Sequence, residues 1–81
     1  MNISVKLFAI AAEQAQADLL VVSLPEPATV GDLRSKLAEK CPALQPLLKH
    51  FLFAVNAEFA PDSTPLAADS EVACIPPVSG G

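Results

Sequence analysis

The chain has 81 residues, room for one small domain with a modest core. Its formal net charge is −4, with 5 Lys+Arg against 9 Asp+Glu, so it repels phosphate backbones; no nucleic-acid partner is expected, and a partner with a basic surface is. No apolar run approaches the roughly 20 residues that cross a bilayer, and the 2 cysteines, Cys41 and Cys74, form neither a disulfide framework nor a CxxC site and read as small buried hydrophobes in a reducing cytoplasm.

Residues 2–8, NISVKLF, alternate, with Ile3, Val5 and Leu7 on one face and Asn2, Ser4, Lys6 and Phe8 on the other. This is the pattern of a half-buried strand, with Phe8 breaking the polarity of its outer side. Residues 9–17, AIAAEQAQA, are Ala-rich and fit a helical turn or a loop. LFAIAA followed by EQAQA imitates a secretory leader, but the apolar run is short and Lys6 is the one charge before it, so a retained strand is expected. Residues 18–24, DLLVVSL, are β-branched and apolar and end at Pro25, which predicts a second strand antiparallel to the first.

The clearest signal follows. Thr29 with Asp32 three residues on is a capping-box-like helix start. Val30, Leu33, Leu37, Cys41 and Leu44 then recur at three and four, one apolar helical stripe. Asp32 stands four before Lys36, the spacing of a surface ion pair, and Pro42 ends the helix near Lys40. A third strand is predicted at 52–55, a turn at Asn56-Ala57-Glu58 with Phe59 beyond it, and a loop over PDSTPLAAD. In the last strand, SEVACIP, Val72 and Cys74 face one way and Glu71, Ala73 and Ile75 the other, before Pro76 and Pro77 end the ladder. His50 reads as a surface residue, and Asp62, Asp69 and Glu71, too irregularly spaced for a calcium loop, as solvated side chains. One helix on one face of a small mixed sheet is an α+β architecture, with residues 1–75 as the domain and 76–81 as an extended tail.

That tail, PPVSGG, holds 2 of the chain's 3 glycines. The Pro-Pro pair favours extended backbone, and six residues reach roughly 18–20 Å. Gly80 and Gly81 have no side chains, so the end is thin enough to thread a channel, with Pro77, Val78 and Ser79 leading into it. The reactive group there is the α-carboxylate of Gly81, a poor electrophile until activated, for instance as an acyl-adenylate. The alternative is a frayed, idle terminus.

VKLFA at the start, TVGDLRSKL on the helix, FAVN in the third strand and LAADSEVACIPPVSGG at the end carry a resemblance that covers essentially the whole chain. The sequence resembles the small, sulfur-carrying subunits of molybdopterin synthase, members of the ubiquitin-like β-grasp group. It departs from them in the first loop, where AAEQAQAD replaces a segment that often holds an Arg-Glu pair and a glycine, and at Cys74 or Ile75, where an aromatic is frequent.

The resemblance implies a chain that binds no cofactor itself. An E1-like enzyme with Mg-ATP would adenylate Gly81, and a sulfur donor would replace AMP to leave a thiocarboxylate. The tail would enter the large subunit, which holds the catalytic side chains, in a two-plus-two complex, and donate sulfur to cyclic pyranopterin monophosphate until the dithiolene is built. In a β-grasp fold the first and last strands are neighbours, so Phe8 and Ile75, both out of phase with the buried stripes, would form an exposed apolar docking patch with Phe59. The alternatives are a thiamine-pathway sulfur carrier, a ubiquitin-like protein modifier whose Gly81 is joined to lysines, and an interaction module with an idle tail.

Overall fold

A computed structural model describes residues 1–77. Strand β1 (Asn2–Leu7) leads through a short helix α1 (Ile10–Ala15) to β2 (Leu19–Ser23) and the main helix α2 (Val30–Lys40). Two 3-10 turns, Pro42–Leu44 and Leu48–His50, precede β3 (Leu52–Val55), β4 (Glu58–Ala60) and β5 (Val72–Ile75). The five strands form one sheet in the order β2-β1-β5-β3-β4. The pairing of β1 with β5 is parallel; the other three are antiparallel.

The alternation in β1 sorts its side chains as the pattern predicts: Ile3, Val5 and Leu7 are buried, and Asn2, Ser4 and Lys6 are exposed. Val22 of β2, Phe53 of β3 and Val72 and Cys74 of β5 join them in the core, and Val30, Leu33 and Leu37 of α2 are fully buried with them. Leu44 continues the stripe into the core, whereas Cys41, at the helix end, is only half-buried. The capping box forms: the Asp32 N–H donates to Thr29 Oγ1 at 3.3 Å and the Thr29 N–H to Asp32 Oδ2 at 2.9 Å. That commitment turns the Asp32 carboxylate back to the helix start, and the ion pair found among the described residues is Arg34–Asp62, in place of the expected Asp32–Lys36.

Two segments differ from the expectation, and one left open between a helical turn and a loop is a helix. Residues 10–15 are helical because alanine favours the helix and the conformation buries Ala11; the helix stops at Gln16, whose left-handed backbone is the one glycine usually supplies. Asn56 and Ala57 both take left-handed φ, 50° and 69°, making a two-residue hairpin turn of the kind that matches strand twist. Glu58 therefore pairs with Val55 and opens β4, a strand that the pattern around Phe59 is too short to announce. The last strand is Val72–Ile75, shorter than the predicted run: the Glu71 N–H donates to the Asn56 side chain, the Ser70 N–H to the Ala67 carbonyl, and residues 62–66 are tied elsewhere.

Those ties run to the start of α2. The Val30 and Gly31 N–H groups donate to the carbonyls of Thr64 and Asp62, and the Leu66 N–H to that of Ala28. Gly31 favours this approach: a Cβ there would stand 3.3 Å from both the Cβ and the carbonyl oxygen of Asp62, a tight contact that a shift of a few tenths of an ångström would relieve. Arg34 completes the seam. Its guanidinium donates to Asp62 Oδ1 at 2.9 and 3.2 Å, to the Phe51 carbonyl at 2.8 Å and to the Leu48 carbonyl, and lies 4.9 Å from the Phe53 ring centroid. Asp62 is thus a structural anchor as well as a surface acid. Arg34→Ala, which leaves the Phe51 carbonyl without this donor and removes the cation from Phe53, is expected to cost about 2–3 kcal/mol in chemical denaturation, against less than about 1 kcal/mol for Asp62→Asn. Equal small effects would contradict this division of labour.

Candidate functional site

α2 covers one face of the sheet; the other face meets solvent. The register of its side chains follows from the strand pairs. Leu7 pairs with Cys74, so Phe8 lies level with Ile75, and Ile75 pairs with Leu52. One step back, Leu19, Lys6, Ala73, Ala54 and Phe59 form a row across all five strands, and Val21 stands opposite Ser4 in the next. Phe8 is 48% exposed, Leu52 53% and Phe59 70%, and Leu19 and Val21 are half exposed, so apolar side chains are exposed on the outer face from β2 to β4, with Ser4 and Lys6 among them. A shallow depression of about 550 Å³ sits on it, with Lys6, Phe8, Leu19 and Ala73 in its lining and Asp69 and Glu71 also in its wall.

The three nominated partner residues are placed unequally. Phe8 and Ile75 are neighbours beside the point where the chain leaves β5; Ile75 is half-buried. Phe59 lies two strands away on the edge strand β4 and reaches them through Leu52 and Ala54, lining a second depression with Thr64 and Leu66. Leu19, Val21 and Leu52 belong to the same exposed face and were not singled out by pattern. Their signal was present, because LLVVS and LFAV are apolar in both phases, and a sheet with one covering helix leaves one such phase uncovered.

Pro76 is half-buried and Pro77 exposed, the last described residue. Val78, Ser79, Gly80 and Gly81 lie outside the described residues. Cys74 is buried on the core side of β5, and that burial pushes its thiol up to about 11, against the smaller opposing influence of the Arg34 guanidinium. It packs and does not act as a nucleophile near neutrality. Among the described residues no group of three or more His, Cys, Asp or Glu is placed to hold a metal ion, and no helix is long and apolar enough to cross a membrane. His50 is exposed at the end of its turn. What the described residues present is an exposed, largely apolar sheet face beside the root of the C-terminal segment.

The ThiS family model matches residues 5–81, the whole chain but its first four residues. The chain belongs to the ThiS family. A molybdopterin synthase sulfur carrier subunit of Arabidopsis thaliana is 33% identical over 81 residues, an alignment covering 100% of this chain and 84% of the relative. Small archaeal modifier protein 1 of Haloferax volcanii superposes with a TM-score of 0.86 at 34% identity, over 95% of this chain and 98% of that one. A chain from Helicobacter pylori, solved as a complex of subunits 1 and 2 of molybdopterin-converting factor, shares the fold at a TM-score of 0.70 and 21% identity, over 100% of both chains. The mixed sheet with one main helix is thus the ubiquitin-like β-grasp fold of these ThiS-family relatives.

The two thiols of this ThiS-family chain differ in access. In native protein at about pH 8, iodoacetamide is expected to label half-buried Cys41 well before Cys74, with the difference abolished in denaturant; peptide mass spectrometry reads both sites. Matching native rates would contradict the buried, protonated state of Cys74.

Proposed function

We propose that this chain is the sulfur carrier subunit of a molybdopterin synthase, and that Gly81 is its working residue. In this reading the Gly81 carboxylate attacks the α-phosphate of ATP, held with Mg on an E1-like enzyme, and pyrophosphate leaves. A sulfur donor then displaces AMP from the acyl carbon, leaving a thiocarboxylate. The thin tail, Pro77 to Gly80, carries that sulfur into the large subunit, where it is transferred to cyclic pyranopterin monophosphate; two such transfers supply the dithiolene. Holding the thiocarboxylate in a channel makes the attack effectively intramolecular, and the chain's net charge of −4 favours approach to a subunit whose pocket is basic for a phosphorylated substrate.

One observation carries the reading: β5 runs out at Ile75 beside the exposed Phe8–Ile75–Leu52 surface, and the sequence goes straight on into PPVSGG. In this reading the surface that binds and the root of the segment that ends in Gly81 stand next to each other. The sulfur-carrier name of the Arabidopsis relative and the family match through residue 81 support it. The likeness to an archaeal modifier supports a second reading, in which activated Gly81 is joined to lysines of target proteins.

The two fates leave different products. Intact mass of the chain from cells is expected to show exchange of one C-terminal oxygen for sulfur, and thiocarboxylated chain mixed with large subunit and pterin precursor is expected to yield the dithiolene product; deletion of Gly81 abolishes both. Target proteins whose lysines carry this chain through an amide to Gly81, with no thiocarboxylate, would establish the modifier instead. On the docking surface, Phe8→Ala removes an exposed ring without touching the core, so it is expected to weaken large-subunit binding by about 2 kcal/mol, roughly thirtyfold, with the melting temperature unchanged. Unchanged affinity by titration calorimetry would place the docking surface elsewhere.

A further inference from the structure

The outer sheet face carries one cation, on the strand next to the β2 edge. Lys6 is exposed on β1, between Leu19 of β2 and Ala73 of β5, with Phe8 two residues along on the same side. Its row continues through Ala54 to Phe59, side chains with no polar atom to offer an ammonium. Among the described residues Lys6 makes no ion pair; the pair present is Arg34–Asp62 on the other side of the sheet, against the core ring of Phe53. In the free chain water serves the ammonium. A partner that covers Phe8, Ile75 and Leu52 strips that water, and a charge buried without compensation opposes binding.

Lys6 lines the outer-face depression with Ala73 and Ala54, and a partner that covers those side chains covers its ammonium with them. The acids of this chain nearest Lys6 are Asp69 and Glu71, which line the same depression, and Asp18, which lines a second one with it; Glu71 is level with Ser4, a diagonal step from Lys6, and none of the three is paired with it. The face thus sets a lone cation on β1 apart from the carboxylates of Asp69 and Glu71, a pattern that favours one seating of a partner of opposite pattern.

We infer that the large-subunit surface that docks here is apolar with a carboxylate over Lys6 and a basic group opposite Asp69 and Glu71, which makes Lys6 a specificity-determining contact. This rests on the reading of the outer face as the docking surface for the large subunit. The contact discriminates among partners: an apolar surface of equal shape that lacks the carboxylate is rejected because it leaves Lys6 buried and unpaired.

The sign of one substitution tests this. Calorimetric titration of large subunit with wild-type chain, Lys6→Met, Lys6→Glu, Lys6→Arg and the double variant Lys6→Met/Glu71→Gln compares affinities directly, and melting curves check that these exposed changes leave the fold intact. Lys6→Met is expected to bind about tenfold more weakly, because it leaves the partner's carboxylate unpaired, and Lys6→Glu more weakly still; Lys6→Arg stays within a few-fold of wild type, and the double variant is no better than Lys6→Met. Lys6→Met binding as tightly as wild type or tighter would overturn the inference, since a methionine is then simply the easier side chain to bury. Recovery of affinity in the double variant would also overturn it, by showing that Lys6 turns to its own Glu71. If the wild-type chain does not bind the large subunit at all, the docking reading itself falls, an outcome distinct from both.

Discussion

The parallel pairing of β1 with β5 is the constraint on which the rest of the molecule depends. It joins Val5 to Val72, Lys6 to Ala73 and Leu7 to Cys74, the beginning of the chain to its end. Because the strands are parallel, both finish at the same edge of the sheet, so the exposed ring of Phe8 and the departure of the C-terminal segment after Ile75 occur side by side. The side chains of the pair divide cleanly. Val5, Leu7, Val72 and Cys74 are buried under α2, and Lys6 and Ala73 belong to the outer face. A slip of one residue would exchange the two sets, placing Lys6 in the core and Leu7 in solvent, so burial of the first set fixes the geometry of the second.

A parallel pair between distant segments needs help to stay in register, and the long connection into β5 supplies it. Residues 62–66 are hydrogen-bonded to the start of α2 through Val30, Gly31 and Ala28, and Ser70 is buried with its hydroxyl accepting from the Ala67 N–H. Arg34 ties the same region to the segment before β3 and stacks on Phe53, which pairs with Cys74. The helix cap, the Gly31 contact and the arginine thus act on one object, the strand that launches the tail. The strength lies in the partly buried carbonyl contact of the guanidinium; the exposed carboxylate mainly orients it.

Much of this was legible in the chain because the physics is local. Alternation in NISVKLF, the three-four spacing after Thr29 and the ring closure at Pro42 each state a period or a stop, and each element appears where they place it. The segments that resisted reading are those decided by tertiary context. An Ala-rich run becomes α1 because the core has room for Ala11, and β4 exists because Asn56 and Ala57 accept left-handed backbone, a choice alanine does not advertise. Asp62 looked like a solvated acid because its partner, Arg34, is 28 residues away. At the candidate site Phe8 and Ile75 were visible as residues out of phase, while Leu19, Val21 and Leu52 were hidden in strands apolar on both faces. Only the sheet order shows which phase α2 leaves bare.

This β-grasp chain has a helix on one side of its sheet and exposed apolar side chains on the other, beside the point where the C-terminal segment begins. The central claim is that recognition happens on that face and chemistry at the end that leaves it. Methyl chemical-shift mapping with unlabelled large subunit tests it most directly, because the leucine, isoleucine and valine methyls sample both sides of the sheet. The account predicts perturbations at Ile75, Leu52, Leu19 and Val21, with Leu33 and Leu37 beneath α2 unchanged. Perturbations gathered around α2 while the outer-face methyls stay put would contradict it.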